Sequence, residues 1–74
     1  MDHERTVLTF DVYKVWPRVQ HLFYKADGKS EDGVTVSSEG FASSFIEVEC
    51  STEYAKLIEP MLTSQIIQYS RRRP

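Results

Sequence analysis

Cys50, His3 and His21 are the residues whose side chains could act as soft metal ligands, or as a nucleophile and its base. Zinc sites built from such residues recur at short, fixed spacings that polarise a water or close a loop. Single residues at positions 3, 21 and 50 follow none of them, so neither a metal site nor any other cofactor is expected. A reactive cysteine needs exposure and a nearby positive end, such as a helix N-terminus, to hold its thiolate. Cys50 would stand at the end of a strand just before a helix, which gives a thiol-dependent activity as a minor reading. Its alternation with Ile46 and Val48 argues instead for a small buried apolar residue.

Paired carboxylates occur at Asp27/Asp32 and at Glu47/Glu49, the latter projecting from one strand face. General acid catalysis requires a desolvated pocket that raises a carboxyl's pKa, and two acids on an exposed sheet face remain ordinary solvated charges. Residues 27–33, Asp-Gly-Lys-Ser-Glu-Asp-Gly, match neither a phosphate-binding loop nor the acidic spacing of a calcium loop. The chain reads as non-enzymatic.

Arg71, Arg72 and Arg73 close the sequence before Pro74. They account for three of the nine Lys/Arg, so residues 1–70 carry six cations against all eleven Asp/Glu, a charge of −5. The basic run could neutralise about three phosphates and give weak, salt-dependent, nonspecific nucleic-acid binding, while the acidic body would oppose it. Nucleic-acid association through these arginines is therefore the alternative function.

The 74 residues leave room for one domain, and a chain of this size buries only about 60% of its unfolded surface. Such small chains commonly gain stability from a partner subunit. A lone cysteine cannot form an internal disulfide, which favours a reducing, cytoplasmic setting. No run approaches the ~18 apolar residues of a membrane span, and the charged start Met1-Asp2-His3-Glu4-Arg5 lacks the apolar segment of a signal peptide.

The elements that must position these side chains follow from periodicity. Over residues 6–15, Leu8, Phe10 and Val12 alternate with Val7, Thr9, Asp11, Tyr13 and Val15, the pattern of a half-buried strand. After Pro17, the residues Val19, Leu22, Phe23 and Ala26 fall at helical spacing, and Gly28 is placed to end a short helix. Residues 27–33 read as a loop, residues 34–36 as a short strand with a turn at 37–40, and residues 43–50 as a strand with Ile46, Val48 and Cys50 facing inward. Ser51 can cap a helix carrying Tyr54, Leu57, Ile58, Met61 and Leu62, which Pro60 should kink or end.

These elements specify an α+β fold: a small β-α-β-β-α domain over residues 1–70 with a three-stranded mixed sheet backed by two helices, and a basic tail at 71–74. The third strand would lie between the first two. The alternative is a ferredoxin-like βαββαβ order with a fourth strand at about residues 64–71. With this parity, Val7, Tyr13, Val15 and Phe45, together with Trp16, form an outward patch rimmed by Asp11, Glu47 and Glu49. Aromatic side chains on an open sheet face can stack RNA bases, but three carboxylates among them oppose a polyanion. An aromatic and aliphatic patch rimmed by charge suits a protein interface. The expected function is a protein-binding module, a small accessory subunit, adaptor or inhibitor that binds another protein or itself as a homodimer, without a membrane.

Overall fold

Alternating apolar and polar side chains make β1 (Arg5–Asp11) a strand with Thr6, Leu8 and Phe10 on the core face. A computed structural model describes residues 4–38 and 44–74 of the chain. His3, the expected turn at Glu39 and Gly40, and the start of the third strand at Ser43 lie outside the described residues. After β1 the chain enters α1 (Trp16–Val19) with Pro17 in its first turn, then tightens into a 3-10 turn at Gln20–Leu22. This helix is shorter than expected because the following backbone pairs elsewhere. The Phe23 carbonyl accepts the Glu31 amide at 2.8 Å, and Tyr24 bridges to Ser30. The loop between turns at Gly28, and Gly33 follows it, both at positive φ, where a side chain would be strained.

Strand β2 (Thr35–Ser38) pairs with β3 (Phe45–Ser51), whose Ile46, Val48 and Cys50 face the core as their parity requires. Helix α2 (Thr52–Ser64) starts where the Ser51 hydroxyl accepts the Tyr54 amide at 3.1 Å. Ala55, Ile58 and Leu62 are its buried stripe, while Leu57 and Met61, expected on that stripe, are exposed. The helix continues through Pro60 to Ser64. Proline removes one bond, to the carbonyl of Lys56, and both residues lie on the exposed side, where water can take that bond.

The chain ends in β4 (Ser70–Arg72), paired antiparallel with β1. The sheet order is β2-β3-β1-β4, with every hydrogen-bonded neighbour antiparallel. β1 and β2 run parallel but are separated by β3, the split βαβ arrangement of the βαββαβ order. The tail expected at 71–74 is corrected accordingly: Arg71 and Arg72 belong to the sheet. Because side chains alternate, Arg71 lies on the helix side, 3.1 Å from Glu59, and Arg72 on the open side, 2.7 Å from Glu47. Tyr69 donates its hydroxyl to the same Glu59 at 2.7 Å.

The core fills the space between sheet and helices. Phe10 sits at its centre, its ring 6.0 Å from Trp16, 5.7 Å from Phe23 and 6.0 Å from Tyr69. Trp16 stacks on Phe23 at 5.7 Å, and the Tyr54 hydroxyl donates to the Leu22 carbonyl, tying α2 to the 3-10 turn. No helix among the described residues is long and apolar enough to cross a membrane.

Candidate functional site

Asp11 ends β1 by bonding its own chain. Its Oδ1 accepts the amides of Tyr13 at 2.9 Å and Lys14 at 2.7 Å. These bonds, the Lys14 amide first and the Tyr13 amide second, hold its carboxyl below the ordinary carboxylate range. Such an Asx turn competes with the strand ladder, so the alternation through Tyr13 and Val15 does not extend the sheet. Tyr13 instead stands on the turn, 80% exposed.

Beside this turn lies a groove of about 490 Å³. Phe45, at the start of β3, is 52% exposed and forms one apolar wall; Val15 and Ile66 contribute others, and Lys14, Arg18 and Asp11 add charge. Phe45 is the cross-strand partner of Asp11, which places the ring on the open face of the sheet. Lys14 and Arg18 are exposed, and neither forms an ion pair among the described residues.

Ile66 reaches the groove through the end of α2. The Ile66 amide bonds the Thr63 carbonyl at 3.1 Å, and the Ile67 amide bonds the Leu62 carbonyl at 2.9 Å. This pair of bonds is a Schellman motif, which demands a left-handed residue after the C-cap Gln65, normally glycine. Ile66 occupies that place at φ 56° and is 87% exposed, while its neighbour Ile67 packs into the core with Leu62.

Of the residues expected to form an outward patch, the structure brings Val15 and Phe45 together in the groove, and Tyr13 stays exposed on the turn, outside its lining. Val7 and Trp16 are corrections. Val7 does point to the open face, but it is only 4% exposed. Its cross-strand partners are Glu49 and Arg72, and the Arg72–Glu47 ion pair spans β1 from β4 to β3. With Arg5–Glu49 at 3.2 Å, the aliphatic stems of these charged side chains cover it. Trp16 belongs to the core, because α1 folds back over Phe10 and Phe23. Ile66, Lys14 and Arg18 were missed by the periodicity. The available signal was the absence of glycine or asparagine after α2, which forces some other residue into the left-handed position.

The carboxylates on the open face also differ from expectation, since Glu47 and Glu49 are answered by Arg72 and Arg5. Arg71, Arg72 and Arg73 line a second groove with Arg5, but Glu59, Glu47 and Glu49 neutralise Arg71, Arg72 and Arg5. Cys50 is fully buried beside Ile46 and Val48, and that burial pushes its thiol pKa up. Iodoacetamide should therefore label Cys50 in the folded protein about a hundredfold more slowly than in urea, reflecting a ~3 kcal/mol opening. Equal rates, followed by mass spectrometry, would restore the thiol reading. No cluster of His, Cys, Asp or Glu suited to holding a metal ion occurs among the described residues. In comparisons with known proteins, no family model, no curated protein and no solved structure matches this chain.

Proposed function

We propose that this chain is a non-enzymatic protein-binding module, a small accessory subunit, adaptor or inhibitor, that docks its partner in the groove formed by Phe45, Val15 and Ile66. The observation that carries this reading is Ile66. A β-branched residue in the left-handed region costs about 1–3 kcal/mol, and this one buries almost nothing within its own chain. Its apolar surface is gainful only when something else covers it. Phe45 supports the same reading as a half-exposed aromatic ring of the kind that anchors interfaces.

Nucleic-acid association through Arg71, Arg72 and Arg73 is the weaker reading. Arg71 and Arg72 would have to exchange a carboxylate for a phosphate, which leaves little net charge to gain by counterion release.

The test is Phe45→Glu in the full chain. The ring is surface-placed, so the circular-dichroism spectrum should be unchanged, while capture of a partner from the native source, or self-association in sedimentation velocity, should be lost. A complex retained by this variant would overturn the proposal.

A further inference from the structure

The groove also specifies what kind of partner it takes, an inference that rests on the docking function just proposed. Its walls are apolar, and the cations on its rim, Lys14 and Arg18, have no ion-pair partner among the described residues. The other arginines of the open face, Arg5 and Arg72, are each bound to a glutamate. Asp11, the carboxylate of the groove, keeps its charge, with Oδ1 accepting two backbone amides, and Lys14 is near enough to attract it without forming an ion pair. Lys29, Lys56 and Arg73 likewise form no ion pair among the described residues, but at this groove two such cations, Lys14 and Arg18, stand beside apolar walls and outnumber the one carboxylate, Asp11.

We infer that the partner segment is acidic and apolar together: a peptide stretch that places aliphatic or aromatic side chains against Phe45 and Ile66 and carboxylates against Lys14 and Arg18. Complementary charge at an interface rim steers encounter and rejects wrong partners, and like charge there is strongly unfavourable. An acidic peptide and a nucleic acid would both satisfy the two cations and both meet Asp11, but a nucleic acid would leave the apolar walls uncovered except by its bases. The peptide satisfies both halves of the site.

The probe is a fluorescein-labelled decapeptide of glutamate and leucine in equal number, read by fluorescence anisotropy against the full chain. Two controls accompany it: the same peptide with lysine replacing glutamate, and a labelled ten-nucleotide oligothymidine. The acidic peptide should bind saturably, more weakly as sodium chloride rises from low to physiological strength. The double variant Lys14→Glu/Arg18→Glu should bind it at least about tenfold more weakly. Lys56→Glu, on the exposed side of α2, should leave binding unaltered. A basic peptide or oligothymidine that binds as well as the acidic one would overturn the inference, as would indifference to the Lys14/Arg18 reversal.

Failure here and failure of the docking function are separable. If Phe45→Glu still abolishes partner capture while the charge reversal does nothing, the groove binds protein but its partner is not acidic.

Discussion

Replacing Phe10 with alanine should unfold a large fraction of the protein at 37 °C and lower its melting temperature by at least about 12 °C. Phe10 is wholly buried and touches the rings of Trp16, Phe23 and Tyr69, which come from α1, the loop after it and the segment leading into β4. Removing a buried phenyl ring costs about 3–5 kcal/mol, through lost transfer energy and the cavity left behind. Domains of this size are stable by only about 5–10 kcal/mol, so the loss is a large share of the total. Thermal denaturation followed by circular dichroism reads the effect directly. Tyr13→Ala is the matched control, because its exposed ring should change stability by less than about 0.5 kcal/mol. A Phe10→Ala protein that melts like the parent would mean that the aromatic cluster is not the centre of the core.

Ile66→Gly should do the opposite for stability and still harm function. Glycine adopts the left-handed conformation freely, so relief of strain, less the extra entropy glycine has in the unfolded chain, should stabilise by about 1 kcal/mol. For a chain of this length that is a rise of about 4–8 °C in melting temperature. Partner capture, by contrast, should weaken, since the groove loses an apolar wall. A variant that is both more stable and weaker in binding is the signature of a residue kept for its surface. Unchanged binding would remove Ile66 from the docking site, and a lowered melting temperature would contradict the strain argument.

Much of the architecture was legible because it is local. Ser51 caps α2 with its own hydroxyl within three residues, and Ile46, Val48 and Cys50 share a face because strand side chains alternate. The βαβ connection and the hairpin after it together require β3 to lie between β1 and β2, as it does. Local chemistry was also misread at one place. The carboxylate of Asp11 turns the chain two residues before Tyr13, and the apolar alternation that continues past it conceals this.

The burial of Val7 and the position of β4 lay beyond any local reading: a fourth strand at about residues 64–71 was the alternative order, and the strand that forms is Ser70–Arg72. Ser70-Arg71-Arg72 has no apolar alternation and becomes a strand only because the edge of β1 offers unpaired backbone groups to it. Arg72 can cover Val7 only once it is placed there, across a separation in sequence that no window of periodicity spans. The groove has the same origin. Val15, Phe45 and Ile66 come from three distant segments, and their types alone do not reveal that they meet.

By itself, then, the amino-acid sequence determined the α+β class, the inward parity of β1 and β3, the cap of α2 and the exposure of Tyr13 and Phe45, because neighbouring residues settle each of these through hydrogen bonds and side-chain alternation. Tertiary structure alone decided that Arg71 and Arg72 would serve the sheet, that Trp16 would enter the core, and that Ile66 would share a groove with Phe45. Those outcomes depend on which segments pack together, and the energy that selects them is spread over the whole core.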